Sequence, residues 1–256
     1  MKEKVGIITF HASHNCGSFL QSYAIENLIR NEFNKDVEII DFSNEGQKNI
    51  YRPFLKNNSI KSFIKNLLFL PYKKRIENVY NCYTKFINEN LTLSQDKYSK
   101  IEELYNIEKN YDLFIAGSDQ IWNITCPDAD EAYFLPFISN KKKIAYAPSF
   151  GAKDLRKVTN SNEELEKYKK YLLDFDYISC REKNGKKWIE GLINKNVELV
   201  LDPTLVVNPS VYSKIEEKSG IEGNYIFYYS PKYNNNVTKI VEKFAKENNI
   251  SIFFIK

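Results

Sequence analysis

Histidine is scarce in this 256-residue chain: His11 and His14 are the only two. Imidazole chemistry is therefore confined to one short segment near the start. The four cysteines, Cys16, Cys82, Cys126 and Cys180, never form a Cys-x-x-Cys pair, so they match neither a zinc site nor a disulfide framework, and reduced thiols are expected. No apolar run approaches the ~20 residues of a membrane helix, and Val5 to Phe10 is too short and poorly flanked for a signal peptide. A cytoplasmic location follows as the expectation. A tail of one charge sign is also missing, because 37 Lys and Arg against 33 Asp and Glu, net +4, are spread along the chain. That argues against nucleic acid as a partner. The 18 Tyr and 17 Phe sit mostly in periodic or continuous apolar segments, where core packing explains them better than base stacking.

What is present is alternation. Val5-Gly-Ile-Ile-Thr-Phe10 is a continuous buried-type strand, Leu20, Tyr23, Ala24 and Leu28 recur at helical spacing, and Val37 to Asp41 makes a second strand. Strand, helix, strand with short links is a parallel crossover unit, which predicts an α/β sheet covered by helices. Residues 59 to 90 interrupt with two helical patterns separated at Pro71, read as an insertion or cap. Strands are then expected near 111–116, 143–147, 176–180 and 197–201, and helices near 161–173 and 184–193. A first Rossmann-like domain thus spans 1–207, with 208–223 as a linker marked by Asn208-Pro209 and by Ser219-Gly220 to Gly223. Residues 224–256 begin a second crossover unit, which is too small for an independent domain and reads as incomplete.

The most informative stretch is Tyr111-Asp-Leu-Phe-Ile-Ala-Gly-Ser-Asp-Gln-Ile-Trp-Asn123, an apolar run that stops at glycine and is followed at once by polar side chains. Ligands bind at the carboxyl ends of strands in open α/β sheets, so Ser118, Asp119, Gln120 and Asn123 land where chemistry is expected. Its Gly-Ser-Asp-Gln-hydrophobic-Trp-Asn block resembles the polysaccharide pyruvyl transferase family. Four further stretches agree in order: His14 to Ala24, Ala145-Tyr-Ala-Pro-Ser-Phe-Gly151, Ile178-Ser-Cys-Arg-Glu182, and Val200-Leu-Asp-Pro-Thr-Leu205. The resemblance covers roughly residues 4 to 230.

The resemblance implies a GT-B-like architecture of two facing Rossmann-like domains, the second curtailed here. It also implies transfer of the enolpyruvyl unit of phosphoenolpyruvate onto two hydroxyls of one sugar, with phosphate released and a cyclic ketal formed. Phosphoenolpyruvate is then a substrate, no cofactor or metal is required, and the acceptor is a surface polysaccharide or its precursor. Peripheral membrane association is compatible with such an acceptor. The family's Ser-x-His motif falls on no residue present, so this chain alone is expected to be inactive, with a missing half that another chain could supply.

Within that frame Arg181, ahead of a predicted helix, is the favoured donor-binding residue, with an ion pair to Glu182 as the plain alternative. Asn15, Gly17 and Ser18 join it, because the opening of the first helix presents backbone donors to an anion. Asp119 is the expected base toward the acceptor, or else an Asx-turn or cap, and His14 is the second catalytic candidate. Ser118, Gln120, Trp122 and Asn123 are assigned to acceptor binding, Trp122 by stacking under a sugar ring or else as core. Gln21 reads as helix surface or a cap, and Asp202-Pro203 as a turn at the cleft edge. A Cys16 thiolate with His14 as base is a weaker nucleophilic reading. A GT-B-type glycosyltransferase and a non-catalytic glycan- or partner-binding fragment stand as alternatives.

Overall fold

The computed structural model describes residues 2–230 and 234–255. They form two compact units that divide between Lys214 and Ile215. Met1, residues 231–233 and Lys256 of the expected domains lie outside the described residues.

The first unit is a doubly wound α/β sheet. Its strands are β1 (Lys4–Ile8), β2 (Asp36–Phe42), β3 (Leu93–Tyr98), β4 (Leu113–Ala116), β5 (Lys142–Ala145), β6 (Tyr177–Cys180) and β7 (Glu198–Leu199). All neighbours pair in parallel in the order β3-β2-β1-β4-β5-β6-β7. The central strands are built from Val5, Ile7, Ile8, Val37, Ile39, Ile40, Phe114 and Ile115, all buried, as expected where helices cover both faces. The order reverses between β1 and β4, so their connections leave toward opposite faces and open a crevice at their carboxyl ends.

Helix α1 (Cys16–Glu32) follows β1, with Phe19, Tyr23, Ala24, Ile25 and Leu28 against the sheet. α2 (Glu45–Tyr51), α3 (Ile60–Phe69) and α4 (Lys73–Asn90) lie between β2 and β3. Pro71 sits in a short 3-10 turn joining α3 to α4, where its fixed φ and missing N–H are tolerated. Both α2 and β3 escape the sequence periodicity, since α2 is short and Leu93-Ser-Gln-Asp-Lys-Tyr98 is largely polar on an edge. Beyond β5 come α5 (Leu155–Val158), α6 (Asn162–Leu173) and α7 (Lys183–Ile193), then α8 (Pro203–Val206) after β7.

Residues 209–214, taken from the sequence as the start of a linker, form a 3-10 stretch of the first unit. Val211 is buried there, and its carbonyl accepts the Tyr23 hydroxyl at 3.0 Å. The second unit, by itself, is one crossover: β8 (Tyr225–Tyr229), α9 (Asn235–Glu247) and β9 (Ser251–Ile255), with β8 and β9 parallel. Asn234 starts α9 by accepting from the Asn236 and Val237 amides.

Candidate active site

The loop after β4 makes the site. Gly117 has φ +135, and a Cβ there would meet the Tyr146 carbonyl oxygen at 1.9 Å, so only glycine lets β4 and the loop after β5 approach this closely. Asp119 follows at φ +73, a left-handed conformation that Asp and Asn tolerate better than most residues. Its carbonyl accepts the Ser149 amide at 2.8 Å, which fastens the loop to the one after β5.

Buried polar side chains lock this turn to the end of β1. Gln21 donates to Thr9 Oγ1 at 2.8 Å and to the Ser18 carbonyl at 3.0 Å, while its Oε1 accepts the Ser118 amide at 3.2 Å. Far from being helix surface, Gln21 is buried beneath the loop. Polar residues among the buried positions of the helix, Gln21 beside Ser22, are the signal that could have found it.

Asp119 is half-buried and faces a cavity of about 510 Å³. Its Oδ2 accepts the Ser18 hydroxyl at 2.6 Å and its Oδ1 the Gln120 amide at 2.8 Å. Asn15, Gly17, Gln120, Arg181 and Asp202 line the same cavity, so donor and acceptor candidates far apart in the sequence converge. Asp128, Cys126 and Tyr51 also line it, although no motif singled them out.

Arg181 does not pair with Glu182. Its Nη1 donates to Asp202 Oδ2 at 2.6 Å, and Asp202 Oδ1 accepts the Thr204 amide and hydroxyl at the start of α8. Burial raises the Asp202 carboxyl, but the Thr204 bonds and the Arg181 guanidinium outweigh it and hold the group below its ordinary value. Glu182 instead accepts the Ser149 hydroxyl at 2.8 Å. Asp128 is shifted the other way: burial pushes its carboxyl up, and the Asp119 charge adds to this. The Cys126 thiol is likewise raised by burial and by the Asp128 and Asp119 charges, which makes it a poor nucleophile.

Four sequence assignments need correction. Trp122 is fully buried, stacked on Phe134 with ring centroids 5.3 Å apart, and its Nε1 donates to the Tyr133 carbonyl, so it has no face for a sugar. Ser118 is fully buried too, donating to the Ala147 carbonyl at 3.0 Å. The Gly17 and Ser18 amides are not open to an anion, because Asn15 Oδ1 caps both, at 2.8 and 3.4 Å. His14 does not share the Asp119 cavity. It packs among Tyr51, Tyr80 and Tyr83 and lines a separate cavity of about 420 Å³ with Asp41, Arg52 and Lys97, where burial lowers its pKa. Cys16 contacts the Tyr83 hydroxyl at 3.1 Å. Asn123 supports Gln120 from behind, donating to its Oε1 at 3.0 Å. Among the described residues no group of three or more His, Cys, Asp or Glu is placed to hold a metal ion.

Two outcomes test this geometry. Trp122→Ala should cost about 3–5 kcal/mol in urea unfolding, the range of a large core truncation, whereas a ring that stacks on sugar would lose affinity with little loss of stability. Asp128→Asn tests the raised carboxyl. The native state holds this proton above the pH at which the unfolded chain releases it, so the wild type loses stability as pH rises between the unfolded and folded values. The Asn variant should melt higher than wild type at neutral pH and match it in acid below both values.

A solved structure of UDP-N-acetylglucosamine 2-epimerase from Rickettsia bellii is similar at 13% identity with a TM-score of 0.42. That match covers 99% of this chain and 62% of the other, so the chain spans less than two thirds of that protein's length. No curated protein matches the sequence. The family model of polysaccharide pyruvyl transferase matches residues 15–256, a span that begins at the Asn15 cap and takes in Asp119, Arg181 and Asp202. This chain belongs to the polysaccharide pyruvyl transferase family.

Proposed function

We propose that the protein acts in pyruvyl transfer from phosphoenolpyruvate to a sugar of a surface polysaccharide or its precursor, and that the cavity after β4 receives the sugar hydroxyls. The observation that carries this reading is the convergence of Asp119, Asp128 and Asp202 with one cation among the described residues, Arg181, at the carboxyl ends of the central strands. A trianionic donor is repelled by carboxylates, while hydroxyls that must lose protons need them.

In the reaction the methylene carbon of the donor gains a proton, both hydroxyl oxygens bond to the adjacent carbon, and the bond from that carbon to the phosphate oxygen breaks. One hydroxyl proton balances the new methyl group and the other leaves with phosphate. Asp119, already accepting from Ser18 and the Gln120 amide, is the base toward a hydroxyl. Asp128, whose carboxyl is raised by burial, is the group suited to deliver the proton to carbon. Arg181, half-exposed and tied to Asp202 through Nη1, meets the donor carboxylate or phosphate at the cavity edge. Gln120 is exposed on the cavity wall and orients the acceptor, with Asn123 holding it. No membrane-crossing helix or metal enters this scheme.

The assay is phosphate release from phosphoenolpyruvate with a panel of sugar acceptors, run on this chain joined to a complete second domain. Asp119→Asn keeps size and turn bonding but removes basicity, so kcat should fall roughly 10²-fold with donor affinity equal or slightly improved. An unchanged kcat returns Asp119 to a purely structural turn. Arg181→Ala should lose about 2–4 kcal/mol of transition-state stabilisation, and Lys should rescue it only in part because it lacks the planar fork. Turnover of a nucleotide sugar in place of phosphoenolpyruvate would replace this reading with glycosyl transfer.

A further inference from the structure

Helix α3 is amphipathic in the reverse sense. At 100° per residue, Ile60, Phe63, Ile64, Leu67 and Leu68 occupy one arc of roughly 140°, the stripe that a globular protein normally turns inward. Here it points outward: Ile60 is 80% exposed, Leu68 68% and Phe63 56%. The polar arc faces the protein. Ser62 is 6% exposed and its amide and hydroxyl bond to Ser59, while Asn66 accepts the Leu55 amide at 2.9 Å and donates to the Leu55 carbonyl at 2.8 Å. These bonds tie the polar face to the start of the helix and to the loop at Leu55, and the apolar face is left to solvent. Leu70, in the turn that follows, continues the exposed apolar surface.

Charge selects the occupant. Between Pro53 and Ile76 the chain carries six Lys and Arg and no Asp or Glu. Lys61 and Lys65 border one edge of the apolar arc, and Lys73, Lys74 and Arg75 follow it across the turn into α4, all of them exposed. Lys56 pairs with Glu45 and Lys73 approaches Glu77, but Lys61, Lys65, Lys74 and Arg75 have no carboxylate partner among the described residues. Two copies meeting face to face would bring these cations together, whereas an apolar arc rimmed by Lys and Arg complements anionic headgroups above acyl chains. No helix among the described residues is long and apolar enough to cross a membrane. We infer that α3 and the turn into α4 form an interfacial docking surface for a bilayer containing anionic phospholipid, with the α3 axis lying in the membrane plane. Clusters of this size bind anionic leaflets chiefly by charge, and the buried apolar arc makes the attachment orientation-specific.

The test is flotation of the full chain with vesicles of phosphatidylcholine alone or with about one-third phosphatidylglycerol, at low and high salt. The wild type should float with the anionic vesicles only, and less at high salt. Phe63→Gln, Leu67→Gln and Leu68→Gln together should lower partitioning tenfold or more, as should Lys61→Gln, Lys65→Gln and Lys74→Gln together. Both variants should keep the wild-type melting temperature, because the changed side chains point to solvent. No binding to anionic vesicles, or binding unaffected by either variant, overturns the proposal. So does a marked loss of melting temperature in the apolar variant, which would show the arc covered by its own chain. A wild-type dimer by light scattering that the apolar variant dissociates overturns it as well, in favour of a second copy.

Discussion

Everything at the candidate site depends on a close approach between two loops that a side chain at Gly117 would forbid. The Tyr146 carbonyl occupies the place where a Cβ would stand, so the loops after β4 and β5 pack backbone to backbone. From that contact the chain turns through Ser118, whose buried hydroxyl and amide are both bonded, and delivers Asp119 in a left-handed conformation. Gln21 and Thr9 join the turn to β1, and the Ser149 amide joins it to β5. The carboxylate is therefore held by neighbours on three sides of the switch between β1 and β4, which is how a loop residue acquires the fixed position that chemistry needs.

The same residues that position the site also balance its charge. Asp202 caps α8 through one oxygen and holds Arg181 through the other, so the guanidinium is directed along the cavity wall. Asp128 and Asp202 stand in one cavity with carboxyls shifted in opposite directions, Asp128 by burial beside Asp119 and Asp202 by donors that burial does not overcome. Environment, more than residue type, shifts the two carboxyls in opposite directions. Tyr51 lines this cavity and also the one that contains His14, and thus stands between them.

Helices α1 and α3 show the two uses of an amphipathic pattern. α1 turns Phe19, Tyr23 and Leu28 onto the sheet and is stabilised by burial. α3 carries an apolar stripe as well, but Ser62 and Asn66 bond its opposite side to the helix start and to Leu55, and the stripe lies in solvent. Periodicity states that a face exists and is silent about what it meets.

The α/β class, the crossover units and the strand-to-site polarity were determined by the sequence itself, because continuous apolar runs alternating with 3.6-residue patterns admit few other arrangements. Glycine followed by Ser-Asp-Gln at the end of a strand pointed to the candidate site, and the five ordered blocks located the family. Edge strand β3 and the short α2 were not legible, since neither buries enough apolar surface to leave a pattern. Tertiary structure alone decided which polar residues face the cavity. Trp122 and Ser118 lie within the same block as Asp119 yet are buried, while Asp128, just outside the block, and Asp202, far from it in sequence, line the same cavity. Adjacent residues in a tight turn point in different directions, and the winding of a parallel sheet brings distant strand ends together, so local spacing fixes where a site lies but not which side chains share it.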